Sequence, residues 1–278
     1  MLGQATTRRL TALACLAAVL VLPADLSQED TSPARSALLR SVIAHGPTEL
    51  PRIALTFDSN MTDAMLRWLN TGKVRSYANV RVIDELQRSH TPATFFLAGK
   101  WVERYPNLTR RIAADPSFEL ASHSYAHIGF TTRCYGLGIL PTKQMAADVE
   151  RSFQALAPFG GRQTRYFRFP GGCYDTRALR AIIPAHCTVV EYDIVGNDPF
   201  NNNPTAIANN VLRNAHNGGI VVLHITEANA WTDRDGPPVV VRHEGCGAPV
   251  ELVVEPLYEV EGVPHLIYRW KPVAGRAT

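Results

Sequence analysis

An α/β fold built on parallel strands is predicted by three observations: six strand-length apolar runs, helical repeats between them, and unusual polar residues at the carboxyl ends of the runs. The runs are RIALTFD (52–58), ATFFLAG (93–99), FELASH (118–123), RYFRFP (165–170), CTVVEYD (187–193) and GIVVLH (219–224). Each is rich in β-branched or aromatic residues and mostly unbroken by polar alternation, the pattern of strands covered on both faces. Between the runs, Val80, Ile83 and Leu86 follow Asn79 at helical spacing, and Met145, Val149 and Phe153 recur at every fourth position. A third helix begins at Asn203 and Pro204, runs through Ile207, Val211 and Leu212, and stops before Gly218 and Gly219. Asp58 ends the first run, His123 the third, and Arg168 and Pro170 lie in the fourth; Asp193 ends the fifth, Asp198 follows it, and His224 closes the sixth. In parallel α/β architectures that edge is where catalytic groups converge.

Composition bounds the rest. With 46% apolar and 19% charged residues in 278, the chain is globular, neither disordered nor a repeat array. The formal charge of +3 includes Arg8 and Arg9, and no acid precedes Asp25, so the chain without residues 1–24 carries about +1. That balance excludes nucleic acid as the main partner.

Residues 1–24 read as an export signal: Arg8 and Arg9, then the apolar run LTALACLAAVLVL from Leu10 to Leu22, too short for an ordinary membrane span, so no stable span is expected. Residues 25–50 have little period and read as an extended lead-in. Removing the leader takes Cys15 and leaves Cys134, Cys173, Cys187 and Cys246, an even number with no CxxC, which points to one or two disulfides with the pairing open. The segment from 227 to 278 is rich in Pro and Val and suits extended segments better than helix, either a divergent β appendage on the same domain or the product of a shifted reading frame.

Within ELASHSYAHIGF (119–130), His123 and His127 lie four apart and are candidate ligands of a divalent cation, zinc being the first choice for imidazole. The pair alone is a weak signal; its place at a strand's carboxyl end strengthens it. Together with TFDSN (56–60), RFPGG (168–172), GNDPF (196–200) and VVLH (221–224), the HSYAH stretch (123–127) resembles the five ordered motifs of the polysaccharide deacetylases with a NodB-type domain, carbohydrate esterase family 4. The resemblance covers residues 51–226. It implies a distorted (β/α) barrel with fewer strands than a TIM barrel, and removal of N-acetyl groups from a GlcNAc-containing polysaccharide, peptidoglycan or chitin-like.

The resemblance also implies roles. Asp58 is the general base, held by Arg168; His224 is the acid, supported by Asp198; the backbone N–H of Gly171 stabilises the oxyanion. Asp193 reads as structural, because the spacing to Pro199 places Asp198 at the motif's carboxylate. The chain departs from the family where most members carry a second Asp as metal ligand: it has Ser59 followed by Asn60, and Asn60 is the third metal ligand by this reading, with Asp63 a remoter substitute. Pro199 stands where tryptophan usually follows the fourth-motif Asp, so that wall of the acetyl pocket must be built otherwise. The alternatives are a carbohydrate-binding pseudoenzyme and a hydrolase of another non-peptide C–N amide.

Overall fold

The computed structural model describes residues 41–49, 51–201 and 203–226, and, as strands, 239–243, 250–260 and 263–272. The leader 1–24, most of the lead-in, Cys246 and residues 227–238 lie outside the described residues. Seven parallel strands form one curled sheet: β1 (Ala54–Ser59), β2 (Ala93–Leu97), β3 (Phe118–Ser122), β4 (Arg162–Phe167), β5 (Thr188–Val189), β6 (Ile194–Val195) and β7 (Ile220–His224), in the order β5-β4-β3-β2-β1-β7-β6. The expected α/β barrel is therefore present, distorted and open between β5 and β6. One expectation needs correction. The run CTVVEYD is not a single strand: β5 ends at Val189, the chain crosses the opening, and β6 resumes pairing on the opposite edge with β7.

The strands are apolar on both faces for two different reasons. Leu55, Phe57, Phe95, Leu120, Val221 and Leu223 share one cluster with Val82, Ile83 and Leu86 of α2 (Val80–Arg88) and Ile112 of α4 (Pro106–Ala114). Phe96, Ala121, Val190 and Ile220 form a smaller, separate cluster, packed by Tyr166 and Tyr192. Adjacent residues Phe95 and Phe96 thus serve opposite faces, as the two-residue period of a strand requires.

The predicted helices form where expected. Asn79 caps α2 through its side-chain oxygen, which accepts from the Val82 N–H, and Asn203 caps α7 (Pro204–Asn214) by accepting from the Ala206 N–H at 3.1 Å. Met145, Val149 and Phe153 are the buried stripe of α5 (Thr142–Leu156). The helices α1 (Asp63–Asn70), α3 (Gly99–Arg104) and α6 (Thr176–Ile182) complete the layer. In the tail, β8 (Val239–His243), β9 (Val250–Val260) and β10 (Val263–Pro272) pair antiparallel in the order β10-β9-β8, the extended form its composition favours. Among the described residues no helix is long and apolar enough to cross a membrane.

Residues 43–46 bond into the sheet. The Ile43 N–H donates to the Val189 carbonyl at 2.9 Å, the Ile43 carbonyl accepts from the Glu191 N–H at 2.8 Å, and the Gly46 N–H donates to the Gly218 carbonyl at 2.6 Å. Cys134 and Cys173 form a disulfide, while Cys187 is unpaired and half-buried.

Glu191 lies where the chain crosses the opening, buried, with its carboxyl accepting from the Phe169 N–H at 3.2 Å. Burial pushes its pKa up to about 8, against the pull of the Arg168 guanidinium, so it holds its proton at neutral pH. A folded-state pKa above the unfolded value of about 4.5 makes a contribution to stability that is fully present below 4.5 and lost as pH rises through about 8. Glu191→Gln, which mimics the protonated acid, is expected to melt close to wild type at pH 5 and at least about 5 °C above it at pH 9. Parallel melting curves of the two proteins across that range would refute the assignment.

Candidate active site

The sheet register brings the two proposed proton-transfer groups together. Asp58 pairs in register with His224 across β1 and β7, so both side chains leave the same face of the sheet at its carboxyl edge. His123 follows β3 and Arg168 follows β4, and Asp198 begins a short turn (Asp198–Phe200) after β6. These positions open into one cavity of about 430 Å³, lined by Asp58, Asn60, His123, His127, Gly171, Asp198 and His224 among others.

Arg168 forms the wall behind the cavity, fully buried. Its Nη1 donates to Asp58 Oδ1 and to Thr56 Oγ1, both at 2.7 Å, while Nε and Nη2 donate to the Val190 and Glu191 carbonyls at 3.1 and 3.2 Å. Burial raises the Asp58 carboxyl, but the guanidinium, with His123 and His224 nearby, outweighs it and leaves the pKa below the ordinary value. Asp58 is thus a carboxylate at neutral pH with one oxygen held and the other, Oδ2, 3.6 Å from His123 Nε2.

His224 is clamped by a single residue. Asp198 accepts from the His224 backbone N–H through Oδ2 at 2.8 Å and sits 3.0 Å from the ring Nδ1 through Oδ1. A carboxylate only accepts, so Nδ1 carries the hydrogen and the orientation of the ring is fixed. Burial disfavours the imidazolium, yet the Asp198 charge and hydrogen bond prevail and raise the pKa above its usual value. Arg168 therefore pairs with Asp58 and not with Asp198. Asp193 lies 3.0 Å from His216 and accepts from the Ile220 N–H at 2.8 Å, and it is not among the residues lining the cavity.

The donor set suits a divalent cation. His123 Nδ1 donates to the Arg168 carbonyl at 3.0 Å, which leaves Nε2 bare. His127 Nδ1 and Asn60 Oδ1 are buried atoms without a hydrogen-bond partner. Burial pushes His123 down to about 4 and His127 well below its usual value, so both rings are neutral, the form that ligates. Among the described residues no group of three His, Cys, Asp or Glu side chains is placed to hold a metal. Ser59 is committed elsewhere, its hydroxyl accepting from the Ala98 N–H at 3.1 Å, and Asp63 is exposed and paired with Lys100. Asn60 lines the cavity.

Gly171 lies in the turn after β4 with φ 66°, and a Cβ there would stand 2.7 Å from Cys134 Sγ and 2.9 Å from the Tyr135 ring. Only glycine allows that approach. Pro199, which stands in place of the tryptophan, lines the cavity, as do Phe200, Val195, Leu137 and Tyr135. Sequence reasoning missed Tyr135, Phe200 and Glu191. An acid in the interior of a mostly apolar run was the available signal for Glu191; nothing in the sequence marked the two rings as neighbours.

Comparison with known proteins agrees with this geometry. Residues 45–190 match the family model described as polysaccharide deacetylase. A chitooligosaccharide deacetylase of Rhizobium leguminosarum bv. phaseoli is 25% identical over 177 residues, covering 64% of this chain and 69% of that protein. A peptidoglycan-N-acetylglucosamine deacetylase of Bacillus cereus is 24% identical over 181 residues, covering 65% of this chain and 58% of that protein. The chain spans about half to two thirds of the length of the curated relatives it matches. A CE4 family pseudoenzyme from Bacillus anthracis has the same fold, with a TM-score of 0.52 at 20% identity, covering 68% of this chain and 60% of that one. With the model spanning more than half of its length and the motif residues gathered at one strand edge, the chain belongs to the polysaccharide deacetylase family.

Proposed function

We propose that this protein is a metal-dependent hydrolase that removes N-acetyl groups from a GlcNAc-containing polysaccharide of the cell envelope or its surroundings. The observation that carries this reading is the register-paired Asp58 and His224, one held below and one above its ordinary pKa by its own partner, in the same cavity as His123 and His127. Opposite proton transfers need that difference. Asp58 accepts a proton from the attacking water, the Gly171 N–H donates to the oxyanion, and His224 delivers a proton through Nε2 to the departing amine, so that amide and water become acetate and free amine. A divalent cation, zinc by the preference of imidazole, would be held by His123, His127 and Asn60 and would polarise the carbonyl and acidify water. The relatives' named activities support the substrate class. The leader at 1–24 and the Cys134–Cys173 disulfide support export, with residues 51–226 as the catalytic domain and the tail packed on it.

A second reading, a carbohydrate-binding protein without turnover, is favoured by one observation. Asn60 brings no charge to the cation where a carboxylate is usual, which weakens the site. Three measurements bear on these readings.

Mass spectrometric metal analysis of the purified protein is expected to find about one zinc or similar ion, lost in His123→Ala and in His127→Ala. Stoichiometric metal in the double variant would show that the ion sits elsewhere.

Acetate release from chitooligosaccharides or peptidoglycan should fall on the order of 10²-fold or more in Asp58→Asn and in His224→Ala, with the melting transition still cooperative. A near-wild-type rate in either variant removes that residue from the mechanism, and an inactive parent favours the binding protein.

A unit charge beside a divalent cation is worth a few kcal/mol at an effective dielectric of about 20. Asn60→Asp should accordingly tighten metal binding about tenfold or more, measured by competition with a chelating dye. Ser59→Asp should not, because that side chain is engaged with the Ala98 N–H. The reverse order of the two variants would place the third ligand at 59.

A further inference from the structure

The turn that carries the proposed oxyanion donor is made of two consecutive glycines. Gly171 and Gly172 have φ 66° and 65°, and a Cβ on either would collide, at 171 with Cys134 Sγ and at 172 with the Tyr192 hydroxyl. Glycine is required at both, and it brings backbone freedom that no side chain of its own restricts. That freedom works against the role, because a donor stabilises an oxyanion only when it is aimed before the charge develops.

Neighbouring groups supply the restraint that the glycines lack. Before the turn, the Phe169 N–H donates to Glu191 Oε1 at 3.2 Å, and within it the Gly172 N–H donates to the Phe169 carbonyl at 2.8 Å. After it, Cys173 is joined to Cys134, 39 positions away in sequence, with the Cα atoms 5.8 Å apart. Cys134 Sγ is buried and lies 3.2 Å from the Pro170 carbonyl oxygen, so the bond packs against the turn itself. The far end of the bond is firmly rooted. The loop bearing Cys134 follows the stretch that holds His123 and His127, and it is closed by the Leu137 N–H donating to the Cys134 carbonyl at 2.9 Å and the Leu140 N–H donating to the Gly129 carbonyl at 2.8 Å. Phe130, fully buried, packs on Phe167 and Phe169 at centroid distances of 5.7 and 5.2 Å.

We propose that the Cys134–Cys173 disulfide is a positioning element for the Gly171 N–H, so that turnover depends on the oxidation state of two thiols while metal binding does not. The proposal rests on the N-deacetylase reading. The histidine stretch is held without the bond: His123 Nδ1 donates to the Arg168 carbonyl, and the Asp148 carboxylate accepts from the Tyr125 and Ala126 N–H groups at 2.8 and 3.2 Å. Breaking the bond therefore frees the turn and leaves the two imidazoles in place. In a newly made chain the two thiols become the disulfide by exchange with a second disulfide, which takes up the two electrons and two protons and leaves as a dithiol. A deacetylase built this way gains its full rate in an oxidising compartment and stays slow where thiols are kept reduced.

The test follows acetate release from GlcNAc oligomers, metal content and melting of the purified protein before and after treatment with a trialkylphosphine. The phosphine breaks the S–S bond, takes oxygen from water and leaves the two protons of that water on the sulfurs; thiol titration follows the cleavage. Reduction should lower kcat about tenfold or more, with KM within about twofold and metal content unchanged, and reoxidation should restore the rate. The double variant Cys134→Ser/Cys173→Ser should show the same low kcat and no response to phosphine. Cys187→Ser, which alters an unpaired thiol away from the cavity, should respond as wild type. Wild-type kcat in the reduced protein or in the double variant overturns the proposal and leaves the deacetylase reading intact. Loss of the metal or of the cooperative melt in the reduced protein also overturns it, since the bond would then only staple the fold. If the double variant alone fails to fold, the reduced wild type decides. An oxidised wild type that releases no acetate defeats the deacetylase reading itself, and the positioning role falls with it.

Discussion

The buried guanidinium of Arg168 is the constraint on which the catalytic edge depends. Placing a cation where no water reaches is costly unless every N–H finds a partner and a counter-charge lies close. Arg168 makes four hydrogen bonds and gains its counter-charge by drawing together three strands: Thr56 and Asp58 from β1, its own position after β4, and the carbonyls of Val190 and Glu191 just beyond β5. Its plane lies 3.9 Å from the Phe96 ring centroid, which adds a cation–π contact from β2. A lysine could not take this place, because one ammonium cannot reach acceptors spread along a planar fork. The neutral state of Glu191 completes the arrangement, since Asp58 is then the sole anion competing for the charge.

The same economy separates acid from base. Asp58 and His224 stand side by side in register, yet their supports do not overlap: a cation from β4 steadies the carboxylate, and a carboxylate from the turn after β6 steadies the imidazolium. The two groups also favour each other's charged form, His224 lowering Asp58 and Asp58 raising His224. The protonation difference is thus a property of the sheet order, in which β1 and β7 are neighbours while β4 and β6 approach from opposite ends.

Much of this was legible in the sequence because strand ends and motif residues coincide. Unalternating apolar runs marked five strands correctly, and Asn79 and Asn203 marked two helix starts. The end of β5 at Val189 inside CTVVEYD, with pairing resumed only at Ile194 beyond it, was not legible, since an apolar run carries no sign of where pairing stops and starts on another edge. Short helices such as Gly99–Arg104 hold too few residues to show a period. Four cysteines left the pairing open, and only the approach of the loop bearing Cys134 to the turn after β4 decides it. Whether Ser59 or Asn60 faces the cavity follows from the pleat and from the bond of Ser59 to Ala98, neither of which the family resemblance contains.

The short segment at 43–46 has a bearing on where the folding unit starts. It is stitched on one side to Val189 and Glu191 and on the other to Gly218, whose φ of 80° and lack of a Cβ let Gly46 come close. The sheet has its two edges at β5 and β6, and these few residues lie across the seam between them. A shortened form beginning at the first long strand would keep every motif residue and lose the stitch. The carbonyls of Val190 and Glu191 that hold Arg168 would then sit at a loose hem, so trimming a stretch with no catalytic residue would reach the base through its cation.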